Sequence, residues 1–318
     1  MSMRSAVGTP HPRKAAVVWR SVVISQPAKL KREHFALVVE QEQSARVPFE
    51  DIAVIVLNNR EITLTHPVLS ACAEYGIGLY ATGDNHQPSG VFLPFQSHSR
   101  ATRMLRLQLD LDKPTGKRAW ANIVQAKIRN QAFCMKALNA GDHERLESYA
   151  RRVRSGDTGN MEAQASAYYF PQVMGRSFTR AQDGWANAAL DYGYAVMRGA
   201  CARALVAHGL LPTIGIFHAS ELNAFNLADD LIEPYRSVVD LYVATNRKTD
   251  NTVELTPADK VALVGLLNVD IAMPRGVMSV LASVEQAAES LVRMYDGGSE
   301  QVLEMPRLIG LNQRRHEM

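Results

Sequence analysis

The segment from residue 221 to residue 240 places amides and acids beside an apolar stripe with the spacing of a helix. The polar stripe consists of Asn223, Asn226, Asp230 and Glu233. The apolar positions, which should face the core, are Leu227, Leu231, Pro234, Tyr235 and Val238. Asp229 and Arg236 fall on the opposite side of the helical wheel and are expected in solvent. Two acids one turn apart beside a core repel each other and lose hydration, so a bound cation or a reaction would explain the stripe.

A structural explanation of the same stripe is also open. Asp230 and Glu233 could pair with basic side chains of neighbouring helices, because paired acids near a core are common. Pro234 adds an irregularity, since its ring nitrogen cannot donate to the carbonyl of Asp230. The stripe alone therefore leaves a metal site and a set of structural ion pairs as alternatives.

His218 lies between the buried-looking segment LLPTIGIF and the polar stripe. A lone histidine in such a place is commonly a core residue or a helix cap, but its nearness to Asp230 and Glu233 raises a mixed histidine and carboxylate site. Carboxylate oxygens suit Mg²⁺ or Mn²⁺, and imidazole favours Mn²⁺. Such a set is typical of nucleases, in which a metal activates a nucleophile and stabilises a leaving oxygen.

A further acid, Glu162, lies in the segment GDTGNMEAQASAYYF. We expect Asn160 to be the N-cap of a helix there. In a purely structural role Glu162 would interact favourably with the helix dipole, which is worth about 0.3–1 kcal/mol. In a functional role it would supply the third acid that a nuclease site requires.

The elements that must position these residues change character along the chain. Between residue 17 and about residue 95, short runs rich in Val and Ile predict the strands VVWRSVVIS, FALVVE, DIAVIVL, EITLT, GIGLYAT and GVFLPF, with HPVLSACAEYG as a short helix. Farther on, helical periodicity dominates, from RATRMLRLQLDLD to VMSVLASVEQAAESLVRMYDG. We predict an α+β fold: a small N-terminal β-rich domain followed by a larger all-α C-terminal domain. The predicted bounds are 1–18 for a leader that is disordered at its start, 19–97 for a β-rich dimerisation domain and 98–318 for an α-helical catalytic domain.

Composition and charge limit the classes of function. The 318 residues are 47% hydrophobic and 21% charged, which is ordinary for a globular protein with ample core. No apolar run approaches the roughly 18 residues of a membrane span, and no signal-peptide pattern opens the chain. Cys72, Cys134 and Cys201 are scattered, which argues against a disulfide framework or a zinc–cysteine site and favours a reducing cytoplasm.

The charge is unevenly distributed along the chain. The formal net charge is only +3, but residues 98–154 contain 13 Lys and Arg against 5 Asp and Glu. Such a basic segment indicates either a polyanionic partner or a solvated helix face.

Three segments resemble one known family: GDTGNMEAQASAYYF, DYGYAVMRGACARALVAHGLLPTIGIFH and ELNAFNLADDLIEPYRSVVD. They are similar to the CRISPR-associated spacer integrase, the first of the Cas proteins and the enzyme of the adaptation step, as is the N-terminal WRSVVISQPAKL. The ELNAFNLADDL motif is most similar to the integrases of type II systems. The resemblance covers residues 19 to about 300, while the leader before Trp19 departs from the usual start. It implies a β-domain, a helical domain and an asymmetric homodimer.

The resemblance also implies a site and a reaction. Glu162, His218 and Glu233 would be catalytic and would bind Mg²⁺ or Mn²⁺, with Asp230 as a fourth metal-binding residue. The 3′-hydroxyl of a short foreign DNA would attack a phosphodiester in the repeat array, which is a transesterification, and water in its place would nick DNA. Arginines near the motifs would contact DNA phosphates. These are Arg176, Arg180, Arg198 and Arg203.

The implied partners are double-stranded DNA, as foreign fragment and as repeat, a second copy of the chain, and a small ferredoxin-like second Cas adaptation protein. In type II systems the effector nuclease joins them, no membrane is involved, and the location is the bacterial cytoplasm. Open strand edges in the β-rich domain also favour a homodimer. Two alternatives remain at this stage: a non-catalytic DNA-binding scaffold, and a metal-dependent phosphodiesterase that hydrolyses other nucleic acids without joining them.

Overall fold

The computed structural model describes residues 20–83, 88–95, 98–181, 184–248, 254–297 and 301–313. The predicted leader, residues 1–18, lies outside these ranges. The strands are β1 (Arg20–Ile24), β2 (Ala28–Glu33), β3 (Ala36–Glu40), β4 (Ala45–Pro48), β5 (Ile52–Leu57), β6 (Ile62–Leu64), β7 (Gly78–Thr82), β8 (Pro88–Phe92), β9 (Val269–Met273), β10 (Gly276–Ser279) and β11 (Arg307–Gln313). The helices are α1 (His66–Tyr75), α2 (Ala101–Leu109), α3 (Lys113–Ala137), α4 (His143–Arg152), α5 (Met161–Met174), α6 (Trp185–Ala207), α7 (Asn226–Ile232), α8 (Arg236–Thr245), α9 (Pro257–Gly265) and α10 (Val280–Gly297).

The N-terminal region contains two four-stranded sheets, and the strands predicted there are confirmed. One sheet has the order β1-β5-β7-β8, in which β1, β5 and β7 are parallel and β8 is antiparallel to β7. The other has the order β4-β3-β2-β6, in which only β2 and β6 are parallel. Strands β2 and β4 have no counterpart among the predicted strands: the AKLKRE sequence of β2 contains four charged residues, and β4 is only four residues long.

The first of these sheets takes part in two hydrophobic cores. Ile52 and Ile55 of β5 belong to a core that both sheets and α1 build, whereas Val54 and Val56 belong to the large core of the helical region. A strand buried on both faces requires a continuous apolar run, and this explains the IAVIVL sequence of β5.

The helical region is organised around the 25-residue helix α3, which packs against α4, α5 and α8. It begins at Asp112, whose carboxylate accepts a hydrogen bond from the backbone nitrogen of Thr115 at 2.9 Å, with Pro114 in the first turn. At α9, Thr256 and Asp259 form a reciprocal capping box, which confirms the predicted Thr256 cap.

The prediction that this region is all-α is wrong. Strands β10, β9 and β11 form a three-stranded antiparallel sheet in that order. The strands are short, and residues 277–279, which helical periodicity assigned to the last helix, belong to β10, so α10 begins at Val280. The α+β class with a strand-rich N-terminal part and a helical C-terminal part is confirmed, while the boundary at residues 97–98 stays a prediction.

The helices of the described residues include none long and apolar enough to cross a membrane.

Candidate active site

Three helical elements and one loop converge where the sequence predicts the site. Lys127 projects from α3 and Glu162 from the first turn of α5. Glu233 begins a short 3₁₀ turn, Glu233–Tyr235, that follows α7. The side-chain amide of Asn130 on α3 donates to the carbonyl oxygen of Pro234 at 2.8 Å, which fixes this turn against α3.

Lys127 joins the two glutamates. Its ammonium forms an ion pair with Oε1 of Glu162 and lies 2.5 Å from Oε2 of Glu233. The lysine side chain is 11% exposed and that of Glu233 is 8% exposed, so the charges face each other away from water. The structure therefore brings Glu162 and Glu233 together around one cation.

The charges in this cluster hold one another in the ionised form. Burial alone would lower the pKa of Lys127, but the charges of Glu233 and Glu162 outweigh it and hold that pKa above its usual value. Burial alone would raise the pKa of Glu233, but Lys127 and Arg236 hold it below its usual value. Arg236 was predicted in solvent, and this is wrong, because its Nε donates to Oε1 of Glu233 at 2.9 Å.

Asp230, which is completely buried, organises the loop that carries His218. Its Oδ2 accepts hydrogen bonds from the backbone nitrogens of Ile216 (2.6 Å) and Phe217 (3.1 Å). Its Oδ1 accepts from the backbone nitrogen of His218 at 3.1 Å and lies 2.7 Å from Nδ1 of the same residue. A side chain does not fit at Gly215, where a Cβ would lie 2.2 Å from the carbonyl oxygen of His218. This loop is therefore held in one conformation.

The contact with Asp230 sets the state of the His218 imidazole. The hydrogen bond to Asp230 raises the pKa of His218; burial opposes this rise, and the negative charges of Asp230 and Glu233 add to it. With Nδ1 directed at the carboxylate, Nε2 is the nitrogen that can coordinate a ligand or exchange a proton. The side chain is 39% exposed, so a substrate can reach it.

The helix that presents Glu162 is capped differently from the prediction. Asn160 has a left-handed conformation, with φ of 50°, and its side chain makes no cap hydrogen bond. The carboxylate of Asp157 accepts instead from the backbone nitrogens of Met161 (2.9 Å) and Glu162 (3.0 Å). The acid that stabilises the helix start is therefore Asp157, which leaves the Glu162 side chain for the site.

The predicted three-ligand shell is only partly assembled. Within the described ranges, no three histidine, cysteine or acidic side chains lie together as a group that could hold a metal ion. Lys127 occupies the space between Glu162 and Glu233, and it was missed in the sequence. Its position on α3 among buried residues such as Val124 and Ile128 could have indicated a lysine with a buried acidic partner.

Asp230 does not fit the predicted role of metal ligand. A carboxylate offers about four lone-pair positions, and the three backbone nitrogens together with the His218 ring occupy all of them. Its position supports an orienting role for the loop and the imidazole.

The four arginines proposed for DNA binding have different environments. Arg203 is 2% exposed, donates to the carbonyl oxygen of Gly76 at 2.8 Å and pairs with Glu285, so its assignment to DNA is wrong. Arg180 pairs with Asp191, and Arg198 lies 3.8 Å from Asp229, each with its side chain 40% exposed. Arg176 is exposed just beyond the end of α5.

Comparisons with known proteins identify the family of the chain. The family model described as CRISPR associated protein Cas1 matches residues 21–254. The CRISPR-associated endonuclease Cas1 of Neisseria meningitidis serogroup C (strain 8013) is 41% identical over 304 residues, which are 95% of this chain and 100% of that protein.

Two solved structures show the same fold. A casposase bound to integration product has a TM-score of 0.72 at 16% identity, over 89% of this chain and 92% of that one. A Cas6-RT-Cas1–Cas2 complex has a TM-score of 0.69 at 17% identity, over 91% of this chain and 36% of that one. With the family model covering most of the chain and a relative at 41% identity along almost all of it, the chain belongs to the Cas1 family of CRISPR-associated endonucleases.

Proposed function

We propose that this protein inserts short foreign DNA into a CRISPR repeat array by metal-dependent transesterification. The 3′-hydroxyl oxygen of the foreign strand loses its proton to solvent and forms a bond to the phosphorus of a repeat phosphodiester. The bond from that phosphorus to the repeat strand's own 3′-oxygen breaks, and this oxygen takes up a proton from solvent. The observation that carries the proposal is the pairing of Glu162 and Glu233 around a single cationic group, with His218 near enough for the charge of Glu233 to raise the pKa of its imidazole.

The residues present fit a divalent cation. The carboxylates of Glu162 and Glu233 enclose a position that a single cationic group occupies, the Lys127 ammonium, which lies 2.5 Å from Oε2 of Glu233. Glu162, Glu233 and His218 would hold the ion, and a set of two carboxylates and one imidazole suits Mg²⁺ or Mn²⁺. When bound, the ion supplies positive charge that stabilises the charge developing on the phosphate oxygens.

The chain's own residues account for the remaining steps. Asp230 fixes the imidazole through Nδ1, which leaves Nε2 of His218 as the nitrogen that would hold the ion. The ammonium of Lys127 neutralises the two glutamates when no other cation is present, so that they do not repel each other or an approaching phosphate.

The proposed assembly contains DNA, a second copy of this chain and a Cas2 protein. The casposase structure contains an integration product, which supports DNA as a partner. The other fold neighbour is a complex with Cas2, which supports Cas2 as a partner. The basic segment 98–154, the exposed Arg176 and the half-buried Arg198 supply positive charge for phosphates. The N-terminal sheets, with β4 and β6 at the edges of one of them, are the proposed dimer surface. The type II effector nuclease is a further proposed partner.

The decisive experiment joins a labelled DNA with a free 3′-hydroxyl to a supercoiled plasmid that carries the repeat, with the chain and its Cas2 partner present. Product should form with Mg²⁺ or Mn²⁺ and not in EDTA. Glu233→Gln, which preserves size and removes charge, should abolish joining while DNA binding persists. Glu221→Gln, an exposed acid on the neighbouring loop, is the matched control and should join normally.

The same assay separates the alternatives. Full activity of Glu233→Gln would contradict the catalytic assignment and support a DNA-binding scaffold. Hydrolysis of DNA without any joined product would support a phosphodiesterase. Joining that is insensitive to EDTA would contradict the metal dependence.

A further inference from the structure

An aromatic pair lies directly beside the candidate active site. The rings of Trp120 and Phe217 are stacked with centroids 4.1 Å apart and an angle of 2° between their planes. The His218 ring meets both edge-on, with each centroid 5.7 Å away. Phe217 therefore lies next to His218, which the proposed function places beside the reacting phosphate.

Phe217 is exposed although the loop that carries it is rigid. Its exposed fraction is 54%, whereas Trp120 beneath it is 4% exposed, so one face of the phenyl ring is covered and the other faces solvent. Asp230 holds the backbone nitrogens on both sides of this position, at Ile216 and His218. Because the outer face of this ring stays in water, it contributes no hydrophobic stabilisation to the fold.

A cavity of about 370 Å³ opens beside the pair, between the start of α3 and residues 215–217 of the loop. Lys113 and Lys117 line it, both are exposed, and neither forms an ion pair with any residue that the structure describes. The one acid of the lining, Asp112, accepts the capping hydrogen bond from Thr115. The cavity thus combines an aromatic face with two uncommitted positive charges.

We propose that the outer face of Phe217 stacks on the unpaired base at the 3′ end of the incoming DNA strand, and that Lys117 contacts the phosphates of the same strand. A flat aromatic face with adjacent cations is the arrangement by which proteins bind single-stranded nucleic acid without reading its sequence. Because Phe217 adjoins His218, a base stacked there holds its own 3′-hydroxyl beside the reacting phosphate. This inference rests on the proposed function, since it names the part of the DNA that the site binds.

The test measures binding in EDTA, where no joining occurs, by fluorescence anisotropy. The probe is a duplex with short 3′ overhangs whose terminal nucleotide either carries a base or is abasic. Removal of this base should weaken binding to the unaltered protein about tenfold. In Phe217→Ala the same removal should have no further effect, and Phe217→Trp should restore the full sensitivity. Phe95→Ala, at a residue 87% exposed beyond the end of β8, is the matched control and should keep the tenfold effect.

Two further measurements show which part of the DNA each residue contacts. Lys117→Gln should weaken binding of both probes equally, because a phosphate contact does not depend on the base. An abasic nucleotide placed in the repeat DNA instead should have no Phe217-dependent effect. Thermal unfolding of each variant confirms that the loop remains folded.

The proposal is overturned if Phe217→Ala keeps the tenfold sensitivity, if it weakens both probes equally, or if only the abasic repeat responds. If joining fails in the plasmid assay while removal of the terminal base still weakens binding through Phe217, the proposed reaction is overturned and the stacking site stands. If joining occurs but removal of the base has no Phe217-dependent effect, the stacking site is overturned and the proposed reaction stands.

Discussion

Oδ1 of Asp230 lies 2.7 Å from Nδ1 of His218 and 3.1 Å from the backbone nitrogen of the same residue, so one carboxylate holds both the ring and the main chain of the histidine. With the nitrogens of Ile216 and Phe217 added, every acceptor position of this buried acid is used. Loop position and imidazole orientation are thus determined by a single residue that does not itself face the substrate.

Replacement of Asp230 tests this relationship. Asp230→Ala leaves three backbone N–H groups without their acceptor, and we expect a loss of about 3 kcal/mol or more in the free energy of unfolding. Asp230→Asn keeps one acceptor oxygen and should lose less, about 1–2 kcal/mol. Urea unfolding measures both, and Glu221→Gln should stay within about 0.5 kcal/mol of the unaltered protein. Equal stability of Asp230→Ala and Asp230→Asn would contradict the orienting role.

In the proposed function, Lys127 and a divalent cation would compete for the same two glutamates. Lys127→Met removes the competitor at similar size, so at pH 8 we expect Mn²⁺ to bind about tenfold more tightly, a gain of about 1.4 kcal/mol. Without metal the variant should unfold at a lower temperature, because two buried acids lose their partner. Calorimetric titration with Mn²⁺ and thermal unfolding measure the two effects.

The control for this experiment is Lys136→Met, which changes an exposed lysine on the same helix and should alter neither quantity. Weaker Mn²⁺ binding by Lys127→Met would show that the lysine helps to hold the ion, and the competition would be refuted.

How much of the site the sequence predicts depends on how far apart in the chain the interacting residues lie. Glu162, His218 and Glu233 stand out because helix periodicity and family motifs are local in the chain. Asp157 was missed although it lies only four residues from Met161, because Asn160 was the predicted N-cap. Lys127 acts through partners that are close only after folding, so its contact with Glu233 has no local pattern. The sheet β10-β9-β11 was missed for the same reason, since β11 pairs with β9 across the whole of α10.

Arg203 illustrates the opposite error. Its nearness to a motif in sequence suggested DNA contact, but burial depends on what packs against α6, and Gly76 and Glu285 come from distant parts of the chain. Charge composition indicates that a polyanion is a suitable partner, but it does not show which arginines remain exposed.

Arg198 is partly exposed and Arg203 is buried, so we expect their replacement by alanine to change different properties of the protein. Arg198→Ala should weaken DNA binding by a few-fold at every sequence and reduce the salt dependence of binding by about one charge. Arg203→Ala should leave the affinity of the folded protein for DNA unchanged and lower its stability, because Glu285 and the Gly76 carbonyl lose their partner. Anisotropy titrations at several salt concentrations, together with urea unfolding, measure both. A reversed pattern would restore the assignment of Arg203 to DNA.

Asp240 should make stability depend on pH. Burial raises the pKa of this carboxyl to about 6, against the opposing hydrogen bonds from the Tyr194 and Tyr169 hydroxyls. Because the folded pKa lies above the usual 3.8, the stabilising contribution is complete below about pH 4 and is lost as pH rises through about 6. The full difference corresponds to about 3 kcal/mol, of which a little under half falls between pH 5 and pH 8.

Asp240→Asn cannot ionise and serves as the reference for this effect. We expect the unaltered protein to lose about 1 kcal/mol relative to Asp240→Asn when urea unfolding at pH 8 is compared with pH 5. A difference between the two proteins that does not change with pH, or that changes in the opposite direction, would show that Asp240 is ionised throughout this range.

The packing of the N-terminal sheet on the helical region depends on Gly199. A Cβ at this position of α6 would lie 2.1 Å from Cε1 of Tyr80 on β7, and the tyrosine is 3% exposed, so its ring has little room to move. Gly199→Ala should therefore lower the free energy of unfolding by about 1–3 kcal/mol through overpacking. In a Tyr80→Leu background, where the ring is absent, the same change should cost less, and the double-mutant cycle measures this coupling. Gly90→Ala, whose Cβ would meet its nearest atom at 3.9 Å, is the control. Additive effects of Gly199→Ala and Tyr80→Leu would mean that the two residues do not touch, and that the sheet and α6 do not pack as one body.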